Sequence, residues 1–252
     1  MSGGRRLPPA LALGLAAAAA VVAAPFFSAT TFVGDDHLFL AFARLAPNPF
    51  VAFVRDQHGG EFYRPLPMLV WWLLGRAARG ASWPFAALAL GLHAASAALL
   101  ARLVASVGRP PAVAALAAAL FFLAPQNLEA ASWFSASTDL FATAFVLASL
   151  LALVRGKALA AAALALAAFL SKESALVLPA LAFVVLGAGP EPAPRARRAR
   201  AVLPQVALAA AIVVVRGAVL RGWGGSGDER APLAGKLVQL ASGLVHVGPG
   251  AA

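Results

Sequence analysis

An all-α, polytopic bundle of transmembrane helices, with about seven spans, is the fold class this sequence predicts. Three observations predict it. The 252 residues are 62% hydrophobic and only 12% charged, where a soluble domain carries about 25% charged residues. Ala- and Leu-rich runs recur along most of the chain, bounded by Pro, Gly or charge, and the mean hydropathy is +0.84. The basic residues fall in short clusters between those runs. In lipid, a spanning segment must satisfy its own backbone groups, and Ala and Leu do so best as helix.

The elements follow in chain order. Arg5 and Arg6 precede an apolar run from Ala10 to Ala24, a pattern similar to a secretory signal. Pro25 directly after Val22-Ala23-Ala24 makes a poor cleavage site, so an uncleaved first span near 10–30 is expected. Further spans fall near 84–105, 111–125, 138–154, 158–171, 174–189 and 201–220. Several are shorter than the roughly 20 residues a perpendicular helix needs; interrupted spans are tolerated where protein covers their ends. Residues 1–222 are expected to form one membrane module, and 223–252 a Gly-rich outer tail that reads as the start of a truncated region.

Two stretches need separate treatment. Residues 62–80 are apolar enough to imitate a span, but a crossing there would invert every later loop. They are expected to form an interfacial helix in a long first outer loop, 31–83, with Trp71 and Trp72 at headgroup depth and Arg76 and Arg79 on the polar side. Loops of that length are usually functional. Residues 190–200 read as a Pro/Arg linker that anchors topology.

Charge sets the orientation. With the N-terminus inside, the inner connections hold Arg5, Arg6, Arg102, Arg109, Arg155, Lys157, Arg195, Arg197, Arg198 and Arg200, against the single acid Glu191. The other nine acids (Asp35, Asp36, Asp56, Glu61, Glu129, Asp139, Glu173, Asp228 and Glu229) all fall outside. Basic inner loops match the positive-inside rule. Acids contribute little to orientation, so their gathering on one face points to use. A bacterial inner-membrane protein with a cytoplasmic N-terminus and a periplasmic active face is the expectation.

Several functions are disfavoured. The net charge of +10 is spread over loops rather than massed on a soluble domain with aromatics, which argues against nucleic acid. With no cysteine, there is no disulfide and no thiolate chemistry. No metal-ligand spacing, phosphate-binding Gly loop or nucleophile elbow is present.

Four groups of residues carry the chemistry. Asp35-Asp36-His37 follows the first span; adjacent carboxylates there can act as a general base, or hold a divalent cation with substrate phosphates. A solvated loop, or a cap for a helix beginning near Leu38, is the plainer alternative. Tyr63-Arg64-Pro65-Leu66 places an Arg where it can grip phosphate, with Pro65 suited to a first helical turn. Pro125 to Ala130, with Glu129, leads to Ser137-Thr138-Asp139, whose acids either cap helices or line an outer cavity. Ser171-Lys172-Glu173-Ser174 sets adjacent charges between two apolar runs. Neighbours in sequence do not face each other on a helix, so Lys172 and Glu173 should have different partners. Of the histidines, His37 shares the acidic site, His93 is expected to be a helix-packing donor, and His58 and His246 lie in loop and tail.

Taken in order, these groups resemble the GT-C class of polyprenyl-phosphate-sugar-dependent membrane glycosyltransferases. The nearest likeness is to the O-mannosyltransferase family that carries tetratricopeptide repeats. Asp35 and Asp36 match its acidic pair after the first helix, and Tyr63 to Leu66 its Tyr-Arg-Pro-Leu segment. Pro125, Glu129, Ala130 and Asp139 look like its next outer turn, although Ala124 and Leu128 stand where the family has His and Thr, and Ser137 or Thr138 where it has Arg. Ser171-Lys172-Glu173 is similar to its Ser-Lys-Glu segment. The likeness covers about 10–190, the N-terminal membrane module.

That resemblance implies a transferase moving a hexose such as mannose from a polyprenyl-phosphate donor to a protein or glycan acceptor. It implies Asp35 or Asp36 as base, Arg64 and Lys172 on the donor phosphate, and His37, Tyr63, Glu129, Asp139 and Glu173 around the cavity. It implies no metal ligand set, though a divalent cation is compatible with the acids. A polytopic transporter or lipid-phosphate flippase, or a non-catalytic membrane fragment, is the alternative; the lack of a visible internal repeat counts against a transporter.

Overall fold

The computed structural model describes residues 31–55, 62–189 and 192–222, with the backbone alone for Gln126, Leu128 and Glu129. The expected first span at 10–30, Asp56, His58, Glu61, Glu191 and the 223–252 tail lie outside the described residues. Within them the chain is helical and holds no strand. Helices run over Asp36–Leu45 (α1), Val51–Val54 (α2), Pro65–Ala77 (α3), Trp83–Ser106 (α4), Pro111–Leu123 (α5), Pro125–Ser132 (α6), Ser137–Val154 (α7), Ala158–Phe169 (α8), Leu178–Val185 (α9) and Arg195–Leu220 (α10). Short 3-10 turns at Phe134–Ala136 and Glu173–Val177 lead into α7 and α9.

Three helices are long and apolar enough to cross a membrane: Trp83–Ser106, Phe134–Val154 and Arg195–Leu220, of 24, 21 and 26 residues. At 1.5 Å per residue each exceeds the roughly 30 Å hydrocarbon core. The apolar runs expected near 111–125, 158–171 and 174–189 form shorter helices, Pro111–Leu123, Ala158–Phe169 and Glu173–Val185. Their ends are satisfied by neighbours. At the end of α5, Phe121 O accepts from Asn127 Nδ2 at 2.8 Å and Phe122 O from His93 Nε2 at 2.9 Å. His93 is thus the donor between helices that its position among small residues suggested. The contact fixes its tautomer, since a carbonyl can only accept.

α8 turns one face into the bundle, while Leu159 near its start is 86% exposed. Ala161, Ala165 and Ala168 are fully buried, so α8 lies close against α7, and Ser149 Oγ of α7 donates to Ala161 O at 2.7 Å. The bundle core joins these alanines to Leu150, Leu151, Phe169, Leu178 and Ile212.

Residues 31–55 and 62–83 form a folded cap; a helix forms within 62–80 as expected, but Trp71 departs from its expected place. α3 begins beside the end of α8, where Leu66 N donates to Leu170 O at 3.1 Å. It then runs under α1 toward the start of α4, with Trp71 4.6 Å from the Phe85 ring. Trp71 is 1% exposed, packs edge-on against Phe39 at 5.0 Å and donates from Nε1 to Ser137 Oγ at 3.1 Å. It is therefore a core residue of the cap and not a headgroup anchor. Its indole finds both an apolar box and a hydroxyl partner there. Trp72 and Arg76 both donate to Ala46 O, at 3.0 and 3.2 Å, with the Arg76 guanidinium over the Trp72 ring. Arg76 thus pins α3 to the end of α1.

The 190–200 segment departs too. The four arginines from Arg195 to Arg200 form the first turns of α10, with Pro194 as its N-cap residue. Proline pre-sets the entry angle, and Arg and Ala are good helix formers, so a helix starts where a linker was expected.

Candidate functional site

The starts of α7 and α3, the ends of α8 and α10 and the turn into α9 meet at one end of the bundle. Arg64 Nη2 and Nε donate to Glu173 Oε1 and Oε2 at 2.6 and 3.2 Å, a bidentate fork. Arg216 Nη1, from the far end of α10, reaches the same carboxylate at 3.3 Å. Lys172 Nζ turns the other way and donates to both Asp139 oxygens, at 2.7 and 2.6 Å. Lys172 and Glu173 thus have separate partners, as their adjacency required. The extended backbone at Lys172, φ −160° and ψ 145°, throws the two side chains apart.

These pairs are half-buried: Arg64 and Glu173 are 14% and 33% exposed, Lys172 and Asp139 22% and 42%. Burial alone raises the Glu173 carboxyl, which sits in the turn between two apolar runs. The hydrogen bonds and charge of Arg64, with Arg216 beside it, outweigh burial and hold it below its usual range. Phe62 covers the Arg64 guanidinium from 4.2 Å.

The acidic pair divides into unlike members. Asp36 is fully buried. Its Oδ1 accepts from Ser135 N at 2.6 Å and its Oδ2 from Val33 N at 3.1 Å. It therefore clamps the chain entering α1 onto the turn that leads into α7. Asp35 and His37, on either side, are exposed. Asp35 occupies the N-cap position of α1 without a side-chain cap bond. The Ser135 hydroxyl is buried and has no partner among the described residues. Segment 134–139 joins the two halves of the site, since Ser135 holds Asp36 and Asp139 holds Lys172.

Tyr63 is 4% exposed and donates its hydroxyl to Phe53 O at 3.2 Å. Burial raises its pKa. It locks α2 to the entry of α3, so its hydroxyl is engaged rather than facing a cavity as expected. Glu129 lies in α6, which packs between α4, α5 and α7 near this end. Among the described residues no three His, Asp or Glu side chains converge as metal ligands.

An open apolar cleft of about 240 Å³ lies between α4, α5, α7 and the turn into α9, and none of the cluster's charged side chains lines it. Leu100, Phe121, Val146 and Leu147 wall it, and Ser174, next to Glu173, stands on its rim. The arrangement offers cationic side chains, held by carboxylates, next to an apolar groove.

Sequence reasoning missed Arg216 and Ser135. The signal for Arg216 was present, as a lone charge in the 201–220 run, and charges in such runs are usually paired or functional. Ser135 left no signal, because nothing in its spacing ties it to residue 36. No family model matches this chain, and no curated protein or solved structure matches it either.

Proposed function

We propose that this protein is a GT-C-like membrane glycosyltransferase, with about seven spans, in a bacterial inner membrane. It transfers a sugar, a hexose such as mannose, from a polyprenyl-phosphate donor to a protein or glycan acceptor at the outer face. The observation that carries the reading is that Arg64 and Arg216 on Glu173, and Lys172 on Asp139, lie at one end of the bundle, with an apolar cleft reaching Ser174 next to Glu173. An amphiphile with a phosphate head and a long apolar tail suits that pairing of features. Ion pairs gathered at one end of the bundle among the described residues favour it over a transporter, whose coupled charges lie near the midplane.

In this reading Asp35 is the base. It is exposed, whereas both oxygens of Asp36 already accept backbone N–H groups. Asp35 takes the proton of an acceptor hydroxyl as its oxygen attacks the anomeric carbon of the donor sugar. The bond from that carbon to the phosphate oxygen breaks, and the electron pair leaves with the lipid phosphate. Arg64 and Lys172 neutralise the leaving charge, exchanging part of their contact with Glu173 and Asp139 for phosphate. Asp139, Glu173, Glu129 and His37 shape the surrounding cavity.

The test is a proteoliposome assay with labelled polyprenyl-phosphate mannose and a periplasmic extract as acceptor. Asp35→Asn is expected to lower transfer by at least about 100-fold with donor retention unchanged. Asp36→Asn is expected to lower thermal stability, because it turns an acceptor that serves two N–H groups into an amide. Unchanged transfer in Asp35→Asn overturns the base assignment. Failure of the wild-type protein to retain the donor overturns the glycosyltransferase reading.

A further inference from the structure

The opposite end of the bundle carries charge of another kind. Arg155 and Lys157, in the turn between α7 and α8, and Arg195, Arg197 and Arg200, in the first turns of α10, are exposed. Among the described residues, all three ion pairs lie at the other end, and none of these bases has a carboxylate within reach. Arg200 Nε reaches only Ala196 O of its own helix, at 3.4 Å.

Arg198 is held differently. Its guanidinium lies 4.8 Å over the Phe183 ring and against Gly187, where an added Cβ would collide with it. Its Nε is buried without a partner among the described residues. Packed in this way, Arg198 anchors the start of α10 to the end of α9 and leaves Arg195, Arg197 and Arg200 as the exposed bases.

Two features of α10 make the uncompensated charge costly. Its four arginines stand at the positive end of the helix dipole, where cations are unfavourable and anions favoured. Pro194, its N-cap residue, provides no side-chain cap bond. An external anion answers both. The helix turns apolar at once, with Leu203 58% and Val206 46% exposed immediately below the arginines. An occupant with acyl chains can lie along those side chains while its head meets the arginines. A soluble anion gains nothing from them.

We propose that this basic end is a binding surface for anionic phospholipid headgroups, centred on the first two turns of α10. It is independent of the chemistry at the other end.

Native mass spectrometry of the purified full chain, offered equal phosphatidylglycerol and phosphatidylcholine, tests this. Wild type is expected to retain phosphatidylglycerol in several-fold excess, and raised salt should shrink the excess. The triple variant R195Q/R197Q/R200Q should lose that preference by about tenfold. The triple R195K/R197K/R200K, which keeps the charge, should retain most of it. R44Q/R79Q/R221Q removes three exposed bases elsewhere and should leave the preference intact. Equal retention of the two lipids by wild type overturns the proposal. So does equal loss in both glutamine triples, because net charge alone would then explain it.

Discussion

Glu173 carries two guanidiniums on one carboxylate, and that geometry fixes how its loss would be felt. Replacing it by Gln leaves Arg64 and Arg216 half-buried without their shared counter-charge. Breaking such a pair is costly because the orphaned charges remain desolvated. Glu173→Gln is expected to lower stability by about 1–3 kcal/mol at neutral pH. The sign of the pH dependence follows from the lowered carboxyl pKa. A carboxyl held below its usual value stabilises the folded state fully above that usual value, and the benefit disappears as pH falls through the lowered one. Melting temperatures of wild type and variant should therefore differ by a constant amount above the ordinary carboxylate range, and converge below it. A gap that persisted into strong acid would show that charge at Glu173 is not what stabilises the cluster. At this scale the sequence was partly legible. Adjacent charges at Lys172 and Glu173 required separate partners, but Asp36 and Asp35 look alike in sequence, and only the Ser135 and Val33 amides distinguish them.

Helices taken one at a time show where pattern reading succeeds. The run at 84–105 became Trp83–Ser106 because nothing within it interrupts an apolar helix. The run at 62–80 forms the 13-residue helix Pro65–Ala77, too short to count among the three membrane-length helices, and its Trp71 packs on Phe85 at the start of α4. Trp71, expected at headgroup depth, instead packs in the protein core. Tryptophans of a protein core and of a headgroup belt are identical in composition, and what separates them here is Phe39, Phe85 and Ser137, all distant in sequence. Gly75 marks the packing that decided it. A Cβ there would meet Ala43 Cβ at 2.9 Å, so α3 and α1 approach as closely as backbone allows. Gly75→Ala is expected to push the helices apart at a cost of about 1–3 kcal/mol, offset in part by better helix propensity. The check is the unfolding midpoint of the variant, read beside Gly91→Ala on α4, where an added Cβ meets nothing. Equal midpoints in the two variants would mean the cap does not depend on this close approach.

Across the whole molecule, charge is separated by helix direction. α7 and α10 begin at opposite ends, so Asp139 in the first turn of one meets the cluster that Arg216 near the end of the other also joins. The paired charges therefore sit together, and Arg155, Lys157 and the arginines of the first turns of α10, unpaired among the described residues, sit together at the far end. If α3 stays on one side, as the topology proposed above requires, the parity of every later helix is preserved. Basic ends of spans stay on the cytoplasmic side, since moving arginines across hydrocarbon against the membrane potential is unfavourable. The paired end should then face outward. The absence of cysteine makes this measurable without background. Asn48→Cys, on the cap, and Ala199→Cys, among the arginines, are both at exposed positions. An impermeant maleimide applied to intact spheroplasts is expected to label position 48 and to reach 199 only after lysis. Labelling of 199 in intact cells would invert the molecule. Asp35 and the Arg64 cluster would then face the cytoplasm, and a transfer reaction at the outer face would have no residues to perform it.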